Sequence, residues 1–204
     1  MSAIATLTRW AARPGQDTQA SDLLRDALPL VMLESGTLAW LALRYDASSF
    51  GTFACFPSLA GRQAHLGGAA HDLLKDKAPV VFDGPRRVVD LDVIAEKLPP
   101  DALFGPVTLG LQLEFEIRRE RELDVRQLLG DAGAAIQREE GTVAWFALRV
   151  DSDRHGSLAV FPDQAARFRH LTGRLPADLA THALKLLHGL PDVEMPQVLA
   201  AKLR

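Results

Sequence analysis

Glu34-Ser35-Gly36-Thr37-Leu38-Ala39-Trp40-Leu41-Ala42-Leu43-Arg44 returns 105 residues later as Glu139-Glu140-Gly141-Thr142-Val143-Ala144-Trp145-Phe146-Ala147-Leu148-Arg149. Outward from this stretch the register holds without a gap. Phe56-Pro57 falls on Phe161-Pro162, Arg62 on Arg167, His65 on His170 and Lys97-Leu98 on Lys202-Leu203. Over residues 36–98, 25 of 63 aligned pairs are identical, which chance does not give. A period of this size is too long for a solenoid unit, whose repeats run from roughly 20 to 50 residues. The chain therefore reads as a duplicated small domain: copy 1 over residues 1–98, a linker over 99–106 and copy 2 over 107–204. Any site should occur twice, and differences between the copies are informative.

Each copy opens with a β-type run. In copy 2 Leu109, Leu111, Leu113, Phe115 and Ile117 alternate with Gly110, Gln112, Glu114 and Glu116, the period-two pattern of a half-buried strand. Ile4 and Trp10 occupy the same face in copy 1. A helix is expected from Asp17 to Glu34, where Leu23, Leu24, Ala27, Leu30, Val31 and Leu33 recur at helical spacing. Pro29 should kink it, and the second copy's helix should start near Glu120. Gly36 and Gly141 then stand where a helix C-terminal glycine belongs. Two strands joined by a short polar loop follow: Thr37 to Asp46 with Phe50 to Phe56, and Thr142 to Asp151 with His155 to Phe161. Pro57 and Pro162 end the third strand and suit the start of the next helix. A last strand, Arg86 to Leu98, repeats as Asp192 to Leu203. The order is β-α-β-β-α-β, the ferredoxin-like split unit. The stiff linker Pro99-Pro100-Asp101 through Pro106 keeps the copies close. An apolar sheet face must be covered, so two copies in one chain are expected to pack sheet to sheet.

Composition bounds the function. Hydrophobic content of 48% and 24% charged residues suit a globular protein. A net charge of −3 offers no basic stripe, which argues against nucleic acid. Cys55, the single cysteine, faces Val160 in the repeat and reads as a small hydrophobe. A lone thiol suits a reducing compartment, and no run approaches the roughly 18 apolar residues of a membrane helix. A cytoplasmic protein with no membrane partner is the expectation. No His, Cys or carboxylate group has metal-ligand spacing, and no dinucleotide fingerprint or serine elbow is present. Neither a metal nor a cofactor is expected.

The motifs Glu-Ser-Gly-Thr-x-x-Trp-x-Ala-Leu-Arg from Glu34 and Phe-Pro-x-x-Ala-x-Arg-x-x-His from Phe56, set in the β-α-β-β-α-β order, resemble the antibiotic-biosynthesis monooxygenase superfamily. The resemblance covers both copies nearly end to end. It implies an α+β fold in which two ferredoxin-like repeats pack as an intramolecular dimeric α/β barrel. It also implies cofactor-independent oxygenation of a small phenolic, quinol or polyketide-like aromatic substrate. Family members often carry a tryptophan near the end of the third strand, where this chain has Phe56 and Phe161. Haem-degrading relatives use an Asn, Trp and His constellation, and this chain contains no asparagine.

His65 and His170 are the candidate bases, since an imidazole can take a proton from a phenol or quinol. The bland alternative is a histidine that braces its helix against the sheet. Arg62 and Arg167, three residues earlier, share the helix face and can hold an oxyanion; the alternative is a surface ion pair with Asp46 or Asp151. Trp40 and Trp145, with Arg44 and Arg149 on the same strand face, and Phe56 and Phe161 would form an aromatic substrate wall, or equally a core. Lys97 and Lys202 read as solvated. His71, His155, His182 and His188 lack repeat partners and read as surface residues. Phe50 against His155, Cys55 against Val160 and His71 against Pro176 suggest that one copy has lost a site the other keeps. The competing function is a non-enzymatic, stress-related domain that binds a small ligand in the same cavity. A homodimer of two such pseudo-dimers is compatible with either.

Overall fold

A computed structural model describes residues 3–102 and 107–204. Positions 103–106 of the expected linker lie outside the described residues. Copy 1 contains β1 (Ile4–Ala12), α1 (Asp17–Asp26), α2 (Leu28–Val31), β2 (Ala39–Arg44), β3 (Ser49–Phe56), α3 (Leu59–Leu66), α4 (Ala69–Val81) and β4 (Phe82–Lys97). Copy 2 contains β5 (Leu109–Glu116), a 3-10 turn (Arg119–Arg121), α5 (Glu122–Ile136), β6 (Ala144–Arg149), β7 (Arg154–Phe161), α6 (Gln164–Leu171), α7 (Arg174–Leu186), β8 (Asp192–Glu194) and β9 (Gln197–Leu203). The fold is α+β and ferredoxin-like in both halves.

The compact units and the sequence repeats have different boundaries. Unit 1 comprises the chain to Asp90 together with Pro196–Arg204; unit 2 comprises Leu91–Pro99 and the second copy to Met195. The sheet of unit 1 runs β4-β1-β3-β2-β9 and that of unit 2 runs β8-β5-β7-β6-β4. Each unit thus has the ferredoxin order plus an edge strand drawn from the other repeat. Gln197–Leu203 lies antiparallel to β2, with Lys202 opposite Trp40. The second half of β4 lies antiparallel to β6, with Lys97 opposite Trp145. Both pairings contain a register shift, at Ala42/Leu43 and at Val93/Ala95. The last strand is therefore longer in copy 1 than expected, and its two halves serve two sheets.

The helix expected over Asp17 to Glu34 is two helices. Ala27 separates α1 from α2, and Pro29 sits in the first turn of α2, where a missing N–H costs nothing. Gly36 and Gly141 follow their helices as expected, but neither has a positive φ. What glycine supplies there is room. A Cβ on Gly36 would stand 3.1 Å from Gly61 Cα, and one on Gly141 would stand 3.0 Å from Ala166 Cβ. The turn thus passes tightly under α3 or α6. Those helices are capped by Ser58 Oγ, which accepts from Gly61 N at 3.3 Å, and Asp163 Oδ1, which accepts from Ala166 N at 2.8 Å.

The face of each sheet beneath the helices carries the core. In unit 1 Trp10, Trp40, Phe50, Ala54 and Phe56 pack against Ala20, Leu23, Leu24, Ala27 and Val31 of the first two helices and against Leu74 of α4. In unit 2 Leu111, Leu113, Phe115, Trp145 and Phe161 pack against Val125, Leu129 and Ile136 of α5.

Lys97 and Lys202 are not solvated. Lys202 is buried, and its Nζ donates to the carbonyl oxygens of Val31, at 3.0 Å, and Glu34, at 2.5 Å. Lys97 donates to those of Ile136, at 3.0 Å, and Glu139, at 2.6 Å. Both lysines satisfy carbonyls at a helix C-terminus, where a cation is favoured. Burial pushes each ammonium below its ordinary value, opposed by Glu34 for Lys202 and by Glu139 for Lys97.

His155 corrects a second expectation. It stands opposite Phe115 in the β5–β7 ladder, is fully buried, and neither ring nitrogen has a hydrogen-bond partner. It occupies the place of Phe50 in copy 1, so an imidazole fills a phenylalanine site. Burial pushes it below its usual value.

Candidate active site

The repeated motif builds the same bracket in both units. Glu34 lies just past α2, Thr37 at the start of the approach to β2, and His65 at the end of α3. Glu34 Oε2 accepts from Thr37 Oγ1 at 2.7 Å and meets His65 Nδ1 at 2.7 Å. In unit 2 Glu139 Oε2 accepts from Thr142 Oγ1 at 2.8 Å and meets His170 Nδ1 at 2.7 Å, with Thr142 Oγ1 3.2 Å from the same nitrogen. A carboxylate placed in this way accepts a hydrogen bond from Nδ1–H, which fixes the tautomer and leaves Nε2 as the acceptor. Lys202 or Lys97 ties the backbone of the same glutamate to the last strand. Each imidazole also packs on the third strand's aromatic ring: His65 on Phe56 at 5.3 Å and His170 on Phe161 at 5.2 Å between centroids.

What stands beside the bracket differs. In unit 1 His65 lines a cavity of about 190 Å3 together with Arg62, His71, Trp10, Trp40, Phe56 and the hydroxyl-bearing Thr6, Thr8 and Thr52. A second hollow of about 310 Å3 adjoins it, sharing Trp10, Leu74 and Arg86. In unit 2 the 105-residue offset puts Leu111 and Leu113 where Thr6 and Thr8 stand, and both are core residues, 1% and 8% exposed. His170 is itself only 2% exposed. Ser157 and Ala159 match Thr52 and Ala54.

The other residues expected in the site separate into two groups. Trp40, Phe56, Arg62 and His65 come together on the unit 1 cavity. Arg62 Nη2 pairs with Asp90 Oδ1 at 2.5 Å, while its Nε is buried without a partner. Arg167 instead donates to Gln164 Oε1 at 2.7 Å and to the Gly110 carbonyl at 3.4 Å. Arg44 leans away to Asp17, at 3.4 Å, and Arg149 to Asp92, at 3.2 Å, and to Glu122, at 3.3 Å; neither lines the cavity. Trp145 and Phe161 are fully buried, and the Trp145 indole nitrogen has no partner. Glu34 and Glu139 were not among the expected site residues, and His71, expected at the surface, lines the cavity instead. The repeat signals the two glutamates, which match at the same 105-residue offset as the histidines. His71 is visible only in the fold; burial, then Arg86 and His65, push it below its usual value. Among the described residues no group of His, Cys, Asp or Glu is arranged to hold a metal ion, and no helix is long and apolar enough to cross a membrane.

The geometry thus defines a duplicated ferredoxin-like protein with an aromatic cavity in its first unit. Solved structures share this architecture over the whole chain. A proposed monooxygenase from Fusobacterium nucleatum superposes with a TM-score of 0.87 at 14% identity, covering 100% of this chain and 95% of that one. One from Lactobacillus acidophilus gives 0.85 at 11%, covering 98% and 96%. A ferredoxin-fold protein related to antibiotic-biosynthesis monooxygenases, from Listeria monocytogenes, gives 0.57 at 8%, covering 97% and 95%. The chain shares the ferredoxin-like fold of these proteins. No family model and no curated protein sequence matches it.

Proposed function

We propose that unit 1 is a cofactor-independent monooxygenase for a small, single-ring phenol or quinol, with His65 as the base. The observation that carries this reading is the cavity itself: a histidine oriented by a half-buried glutamate, an arginine with an unpartnered buried Nε, and three aromatic walls share one small space. About 190 Å3 suits one aromatic ring, since a dry cavity of about 150 Å3 accepts benzene.

In this mechanism His65 Nε2 takes the hydroxyl proton of the substrate, and Glu34 holds the imidazole in the tautomer able to do so. Arg62 stabilises the developing oxyanion. The electron-rich ring transfers electrons to dioxygen and a C–O bond forms. The O–O bond then breaks; one oxygen stays on the ring and the other leaves as water, taking the ring hydrogen and the proton held by His65. The net conversion of a quinol and O2 to a hydroxyquinone and water balances without an external reductant. Trp10, Trp40 and Phe56 hold the ring, and Thr6, Thr8 and Thr52 offer hydroxyls to its polar substituents.

The test is oxygen consumption over a panel of single-ring quinols. His65→Ala should slow turnover by about 10²–10⁴-fold, the usual contribution of a positioned base, with an unchanged circular dichroism spectrum. Equal turnover in the folded variant would remove His65 from the chemistry.

A further inference from the structure

The substrate class can be narrowed from the charges around the two adjoining hollows of unit 1, an inference that rests on the cavity being the binding site. The inner cavity is lined by Arg62 and Arg86, and the outer hollow by Arg13, Lys75 and Arg86. Neither lining contains an aspartate or glutamate, in a chain whose net charge is −3. Arg86, on the first half of β4, belongs to both linings and so stands where the two spaces meet. Arg13 is partly occupied, by Asp83 at 3.7 Å and the Pro79 carbonyl at 3.3 Å.

In unit 2 two of these four cations are kept, Arg13 as Arg118 and Arg62 as Arg167, and two are not. At the 105-residue offset Lys75 becomes Ala180 and Arg86 becomes Pro191. The surface hollow beside Phe115 and Gly189, the counterparts of Trp10 and Gly84, is lined by Glu114, Glu116 and Asp192, with Arg154 as its arginine. The hollow next to Trp10 is basic, and the one next to its counterpart Phe115 is mainly acidic.

We propose that unit 1 binds an aromatic acid. The ring sits in the inner cavity against Trp10, Trp40 and Phe56, and the carboxylate, one or two bonds from the ring, sits at the junction on Arg86 with Lys75 and Arg13 beside it. An arginine can meet a carboxylate through two parallel hydrogen bonds. The surrounding cations raise the local concentration of anions, and salt weakens that effect.

Isothermal titration of the full chain with 4-hydroxyphenylacetate and with its uncharged amide tests this without using turnover. The acid should bind roughly tenfold or more tighter than the amide, the range of a charge-assisted hydrogen bond. Arg86→Gln should bring the acid's affinity down to that of the amide, while Lys75→Gln should reduce the preference. Equal affinity for the two probes, an acid preference that survives Arg86→Gln, or binding of neither probe overturns the proposal. An acid preference dependent on Arg86 but without oxygen uptake upholds the anion site and overturns the oxygenase reading. Oxygen uptake on neutral quinols with no acid preference does the reverse.

Discussion

Beneath its helices unit 1 presents Thr6 and Thr8, and unit 2 presents Leu111 and Leu113 at the same places. The Glu-Thr-His bracket and the lysine behind it are common to both. Below that bracket one sheet face lines a cavity, and the other buries two leucines in the core at the matching positions. The bracket is thus kept in both units although the residues below it differ. His65 and His170 hold their elements together in the same way; His65 lines the aromatic cavity, and His170 lines a polar hollow of about 540 Å3 with Glu139, Thr142 and Arg169.

This contrast can be broken by experiment. The largest effect expected is on turnover. His65→Ala removes it, whereas His170→Ala, which unties α6 from Glu139, should appear as a lower melting temperature and leave oxygen consumption to unit 1. Equal losses of turnover from both variants would mean two working sites. Next, Leu111→Thr and Leu113→Thr should each destabilise by about 2–4 kcal/mol in urea titrations, through lost apolar burial and an added buried hydroxyl. Stability unchanged in both would mean that the leucines do not close unit 2. The reciprocal pair, Thr6→Leu with Thr8→Leu, should keep or raise stability and slow turnover by roughly 10²-fold, the cost of displacing a bound substrate by about 1 Å. Unimpaired turnover would put the substrate elsewhere.

The smallest effect expected concerns His155, where unit 2 keeps an imidazole in a phenylalanine site. His155→Phe should stabilise by about 1–2 kcal/mol, since it removes two buried nitrogens without partners. The folded pKa is depressed below the ordinary 6.5, so the unfolded chain binds a proton that the folded chain resists. Stability therefore falls as pH drops below about 6.5 towards the folded value. The gain from phenylalanine should be greater at pH 5 than at pH 8. A pH-independent gain would mean that His155 takes up its proton equally in the folded and unfolded chain.

Much of this architecture is legible in the chain. The alternation of Leu109 to Ile117 and the gapless offset give the strands, their faces and the duplication. Strand exchange is not legible, because Val93 and Val198 suit a strand whichever sheet receives them; pairing is a tertiary choice. The lysines mislead for a related reason. An ammonium near the end of a strand reads as solvated until the helix carbonyls that receive it are placed. Within the site, Trp40, Phe56, Arg62 and His65 were legible from the repeat, and Glu34 was legible but overlooked. Thr6 and Thr8 precede the stretch where identity is dense, so their contrast with the two leucines emerges only once Ile4 and Leu109 are set in register.

The exchanged last strands carry a consequence for how such a protein can change. A homodimer of identical chains must accept every substitution in both of its sites at once. Here the copies are written separately, so a leucine can arise at one site and a threonine persist at the other. Yet neither copy can be discarded, because each supplies a strand to the sheet in which the other does its work. Divergence is freer beneath the helices than at the edges, where each copy must keep a strand that fits the other's sheet.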